Sequence, residues 1–77
     1  MLARQPNSAA KIAFAWRMAA GLAMARHGTP RWSEDGVLTV EAGDAAWRRE
    51  LRYARPVLLE RLRELLGADV VRKLEVK

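Results

Sequence analysis

From Ser8 to His27 the apolar positions keep a helical period, and they do so on two faces. Ile12, Trp16, Ala20, Ala23 and Met24 share one face, while Phe14, Met18 and Leu22 lie nearly opposite at i, i+4 and i+8. The pattern predicts a helix over 8–27, capped by Asn7 or Ser8 and closed by Gly28 in a left-handed conformation. Thr29-Pro30 then begins extended chain. A surface helix needs only one apolar face. The second stripe is therefore covered by another part of the fold or left for a partner.

A period of two follows. "RWSE" and "VLTVEA" flank Asp35-Gly36, a strong hairpin signal. A two-residue loop would pair Ser33 with Leu38 and leave Trp32 on the opposite face. A three-residue loop, Glu34-Asp35-Gly36 with Gly36 left-handed, would pair Trp32 with Leu38 and Pro30 with Val40. Burying Trp32 beside Leu38 favours the second register; a slip of one residue would turn Trp32 outward. Helical spacing returns after Asp44, an expected N-cap, with Trp47, Leu51, Ala54 and Leu58 on one face. Pro56 is expected to break or kink this run near Tyr53 to Arg55, and because proline suits a first helical turn, "PVLLERLRELLG" can be a new helix starting there. Leu58, Leu59, Leu62, Leu65 and Leu66 form its apolar face and Gly67 its stop. "VVRKLEVK" alternates as a third strand, with Leu74 and Val76 inward.

The predicted order is α-β-β-α-α-β, a small two-layer α+β domain with helices on one face of the sheet. At 77 residues the chain holds one domain at most, with residues 1–7 as a flexible lead-in and 8–77 as the domain. There is no cysteine and a single histidine, His27, so neither a disulfide nor a cysteine- or histidine-based metal site is expected, and no cofactor is implied. The absence of cysteine is compatible with a cytoplasmic location. Lys11 and Arg17 interrupt the apolar start, which leaves no signal-peptide core or membrane span. A transit peptide is rejected because its removal would take away nearly a third of a minimal domain's apolar surface.

Charge narrows the function. Residues 1–33 carry five cations and no acid, 34–47 four acids and no cation, and 48–77 nine cations and five acids, a net +5. That balance favours an anionic partner, nucleic acid or lipid. Catalysis lacks its parts: neither serine has a base partner, no cysteine nucleophile exists, and no glycine-rich phosphate loop occurs. His27, at a helix end, is expected to face solvent. In "GDAAWRRELRYARP" four arginines surround a tryptophan. Arg48, Arg52 and Arg55 fall on one helix flank, with Arg49 on another beside Tyr53. Only Arg48 has an acid, Asp44, within helical reach, and Arg52 has arginines as neighbours. Such a cluster is better explained by an anionic partner than by helix stability, the alternative being solvation or pairing with acids distant in sequence. Nothing here reads bases, so binding would be sequence-tolerant. The spacing of Trp47 with Leu51 and Leu58 places it in the core rather than against bases. Burying a tryptophan hides about 150–250 Å², worth up to roughly 4–6 kcal/mol at about 25 cal/mol/Å².

"WRMAAGLAMARHGTP" resembles the first helix and exit of the DciA family. "DGVLTVEAGDAAWRREL" resembles that family's hairpin and following helix, and "RPVLLERLRELLG" its proline-started leucine helix. The resemblance runs from about Ile12 to Val76. It implies a fold similar to a type II KH domain. It also implies a non-enzymatic role in bacterial replication, with the replicative helicase as partner, help in its loading, and DNA binding. Three departures bear on this. The helix junction "YARPVL" lacks the Gly-x-x-Gly of nucleic-acid-clamping KH domains. Many DciA-like proteins carry a long extension beside the domain. The family strand before Asp-Gly has its apolar residues where Arg31 and Ser33 stand, so either the turn is bulged or Trp32 is an exposed contact. The expected nucleic-acid-binding residues are thus Arg48, Arg49, Arg52 and Arg55. The expected partner-binding residues, for helicase or a homodimer, are Phe14, Met18, Leu22 and Trp32.

Overall fold

The computed structural model describes residues 8–77; Asn7 as a cap and the lead-in expected over 1–7 lie outside the described residues. The elements are α1 (Ala9–Arg26), β1 (Gly28–Trp32), β2 (Val37–Ala42), α2 (Ala45–Leu66) and β3 (Lys73–Val76). The fold is a small α+β domain in which two helices pack with a three-stranded mixed sheet of order β1-β2-β3. β1 and β2 form an antiparallel hairpin, and β3 runs parallel to β2. A parallel pair needs a crossover, and α2 supplies it.

The hairpin takes the bulged register, pairing Trp32 with Leu38 and Pro30 with Val40. Gly36 sits at φ 90°, which an L side chain rarely adopts, so the three-residue loop closes without strain. The Ser33 hydroxyl donates to Asp35 Oδ1 across this turn. That bond is the chief cause holding the Asp35 carboxyl below the usual carboxylate range, with smaller help from the Val37 N–H and the Arg72 charge. Its contribution to the turn is present at neutral pH and is lost as acid protonates the carboxylate.

The core runs between the layers. Ile12, Ala15, Trp16 and Ala19 of α1 meet Leu38 and Val40 of β2, Leu51, Leu58, Leu62 and Leu66 of α2, and Val71, Leu74 and Val76 around β3. Trp16 lies at its centre, 1% exposed, with Nε1 donating to the Gly28 carbonyl at 3.0 Å. The closing strand turns Leu74 and Val76 inward, as its alternation predicts. Ser8 and Asp44 cap the two helices by accepting from the N–H groups of Lys11 and Trp47. Gly67, at φ 107°, ends α2.

Four expectations need correction. The predicted break at Pro56 does not occur, because Ala45 to Leu66 form one helix with Pro56 inside it. The order is therefore α-β-β-α-β, and the paired-helix junction of the type II KH order is not reproduced. Proline removes the donor for the Arg52 carbonyl, but both residues stand on the exposed side, where water can take its place. Five leucines on the continuing apolar face hold the helix together across the gap.

Second, Gly28 is not a left-handed terminator. Positive φ among the described residues falls at Gly21, Gly36 and Gly67. Third, Gly21 interrupts α1 at φ 83°, ψ 166°, an irregularity the periodicity did not show. The break frees carbonyls of the preceding turn, and Arg61 of α2 donates to that of Ala19 at 3.0 Å. Ala23, placed on the core face by period, is exposed beyond this break, while Ala15 and Ala19 are buried. Fourth, Trp47 is half-buried and lies outside the core cluster. Trp16 holds the central position instead.

Gly28 is required for close approach. A Cβ there would stand 2.7 Å from Val40 Cγ1, 3.2 Å from the Trp16 ring and 3.3 Å from Leu51. Gly28→Ala is expected to destabilise the fold by roughly 1–3 kcal/mol. Gly43→Ala, whose Cβ would meet nothing closer than 3.7 Å, is expected to be near neutral. Urea denaturation of both variants measures the difference.

Candidate nucleic-acid interface

The N-terminal half of α2 presents the arginines. Asp44 fixes its start, with Oδ1 accepting from the Trp47 N–H at 2.8 Å. The carboxylate that sequence offered to Arg48 is thus engaged in capping. Turns two and four then bury Leu51 and Leu58, which orients the helix about its axis. With that face inward, Arg49, Arg52 and Arg55 are exposed and Arg48 is half-buried. Arg48, Arg52 and Arg55 line one flank at i, i+4 and i+7, and Arg49 stands roughly a quarter turn away. None of the four side chains makes a hydrogen bond or ion pair among the described residues; the pairs found there are Arg31–Glu41 at 3.0 Å and Lys73–Glu75 at 3.3 Å.

The other arginines of α2 behave differently. Arg61 bonds the Ala19 carbonyl. Arg63 donates from Nε to Val71 at 3.0 Å and from Nη2 to the Arg72 carbonyl at 2.8 Å, which holds the loop between α2 and β3. The helix therefore divides into a C-terminal half whose arginines satisfy backbone carbonyls and an N-terminal half whose arginine side chains, three exposed and Arg48 half-buried, have no partner among the described residues.

His27 and Trp47 form a second feature near this flank. Their rings stack with centroids 4.4 Å apart and planes within 9°. The His27 carbonyl also accepts from the Gly43 N–H at 2.9 Å, so the exit of α1 is tied to the entry of α2. Both side chains are half-buried, so the expectation of a fully solvent-facing histidine gives way to this packed pair. The signal was present in the hairpin register: pairing Gly28 with Ala42 brings the residue before β1 next to the residues after β2.

The expected partner-binding residues separate. Phe14, Met18 and Leu22 of α1 are 45%, 60% and 80% exposed, with the Gly21 break falling between Met18 and Leu22. Trp32 packs against the core, and its Nε1 donates to the Val70 carbonyl at 2.8 Å. The structure does not bring Trp32 onto the α1 stripe. Among the described residues no group of three or more His, Cys, Asp or Glu could hold a metal ion, and no helix is long and apolar enough to cross a membrane.

Fold and surface together define a small basic α+β domain that presents a row of arginines without an ion-pair partner among the described residues. The chain belongs to the family described as "Dna[CI] antecedent, DciA", whose family model matches residues 1–76. It is similar to a UPF0232 protein of Mycobacterium tuberculosis strain H37Rv, 38% identical over 61 residues, which cover 79% of this chain and 33% of that protein. A UPF0232 protein of Streptomyces avermitilis is 42% identical over 64 residues, covering 80% of this chain and 35% of the relative. The chain thus spans about a third of the length of the curated relatives it matches. No solved structure matches it.

The two kinds of arginine are distinguishable by stability. Arg63→Ala leaves two carbonyls without their donor and is expected to cost roughly 1–3 kcal/mol. Arg52→Ala is expected to stay within about 0.5 kcal/mol of the parent. Chemical denaturation followed by far-UV circular dichroism reads both.

Proposed function

We propose that this domain is a non-enzymatic, DNA-associated module that interacts with the bacterial replicative helicase and assists its loading. Membership of the DciA family supports the replication role. The observation that carries the DNA component is the absence of any counter-charge for Arg48, Arg49, Arg52 and Arg55 among the described residues. Four exposed or half-exposed guanidinium groups on one helix offer a row of donors to phosphate oxygens, with no side chain positioned to read a base edge. Binding is therefore electrostatic and sequence-tolerant.

If four phosphates are met, the log–log salt slope is about −3.6, and affinity falls roughly a hundredfold between about 50 and 200 mM salt. Fluorescence anisotropy with a labelled DNA oligonucleotide is expected to show this dependence. Arg52→Ala and Arg55→Ala are expected to weaken binding while circular dichroism stays unchanged. No binding at the lower salt would remove the DNA component. A pull-down with the cognate replicative helicase tests the other component separately.

The exposed row of Phe14, Met18 and Leu22 favours a second reading, a protein-interaction or self-association module without functional nucleic-acid binding. An apolar stripe of this kind on α1 could also serve the helicase contact. Self-association predicts a concentration-dependent dimer by light scattering that Met18→Glu abolishes. A monomer at high concentration would exclude it.

A further inference from the structure

The β3 edge of the sheet and the middle of α2 bound a surface that shares only Arg55 with the phosphate-binding row proposed for α2. An open groove of about 350 Å³ is lined by Arg55, Pro56 and Leu59 of α2 and by Arg72, Lys73 and Leu74 at the start of β3. No residue of β1 or β2 lines it, so it lies on the outer side of β3. Its floor is apolar and its rim is cationic. Lys73 is already paired with Glu75, and Arg72 is felt electrostatically by Asp35. Arg55 has no acidic partner among the described residues.

Among the described residues β3 is an edge strand, with no strand paired on the side beside this groove. The Lys73 N–H donates to Gly36 at 3.2 Å, the Lys77 N–H donates to Val40 at 2.9 Å, and the Lys77 carbonyl accepts from Ala42 at 2.8 Å. In a strand the N–H and C=O of one residue point to the same side, and sides alternate along the chain. Residues 73, 75 and 77 therefore face β2, and the main-chain groups of Leu74 and Val76 face outward along the free edge.

We propose that an extended, acidic peptide segment of a partner protein docks here as a fourth strand on β3. Its main chain pairs with the N–H and C=O of Leu74 and Val76. Alternate apolar side chains lie on Pro56, Leu59 and Leu74, and its carboxylates meet Arg55 and Arg72. Two physical arguments select this occupant. A phosphodiester chain has no alternating N–H and C=O groups to continue a sheet edge. A second copy of this chain would set Lys73 and Lys77 against their own like charges on a molecule of net +5. This site goes beyond the DNA-binding flank, though Arg55 borders both.

The test is a titration of the ¹⁵N-labelled chain, without DNA, with a short synthetic peptide of alternating valine and glutamate. The same peptide N-methylated at alternate amides keeps its charge but cannot pair as a strand. The unmodified peptide is expected to shift the Leu74 and Val76 amides and to protect them from hydrogen exchange. N-methylation, and separately Arg55→Glu, is expected to weaken binding by about tenfold or more. Equal binding of the N-methylated peptide, or shifts confined to the Arg48–Arg52 stretch, would overturn strand addition in favour of charge alone. Shifts of the Leu74 and Val76 amides by a DNA oligonucleotide but not by the peptide would overturn the choice of occupant. With no DNA present, failure here leaves phosphate binding by α2 untouched, and failure of the anisotropy titration leaves this site untouched.

Discussion

The fold depends on the approach of Trp16 to Gly28. The indole is almost wholly buried, and a buried N–H needs a partner. It finds one in the carbonyl of the first residue of β1. The same residue must lack a side chain, because Val40, Trp16 and Leu51 occupy the space a Cβ would take. One glycine thus brings α1, β2 and α2 into contact at a single point. Every later element is placed from this junction: β1 leaves it as the outer strand, β2 pairs back, and α2 lies over Leu38 and Val40 to return the chain as β3.

That junction also accounts for the surface. Because Trp16 fills the centre, Trp47 is not needed there, and it moves to the rim to stack on His27. Leu51 and Leu58 are then the residues that set the rotation of α2, and the arginines stand away from the packed face. Their exposure follows from packing on the opposite side. Their lack of counter-charges does not, since it adds nothing to helix stability, and an anionic partner is the economical physical explanation. The contrast with Arg61 and Arg63, both engaged by carbonyls, shows what structural arginines look like in the same helix.

The continuity of α2 matters for mechanism. A KH domain that clamps nucleic acid does so at a glycine loop between two helices. Here α2 is a single helix with Pro56 on its exposed side. In the proposed function, contact with an anion would therefore come from a rigid row of side chains. A rigid row suits phosphate positioning and gives no means of closing around a particular base.

Much of the domain was legible in the chain itself. The hairpin was legible but its register was left between two loops: burying Trp32 beside Leu38 favoured the bulged one, and the structure selects it. The caps at Asp44 and at Ser8 (one of two candidates with Asn7), the stop at Gly67 and the inward face of β3 followed from local chemistry that the surroundings did not override. The arginine flank was readable because helical geometry alone decides which side chains share a side. Tertiary structure decided the rest. It chose Trp16 over Trp47 for the core, since both had helical spacing and only the closure of the sheet shows which one lies at the centre. It kept α2 whole across Pro56, because leucine packing on one side outweighs a hydrogen bond lost to water on the other. It gave Gly28 a steric role where the sequence suggested a conformational one, and placed the break in α1 at Gly21, where Arg61 arrives from a helix 42 residues away to satisfy a freed carbonyl. Local rules determine elements and faces; which face meets which is set by the volumes and donors that distant segments bring together.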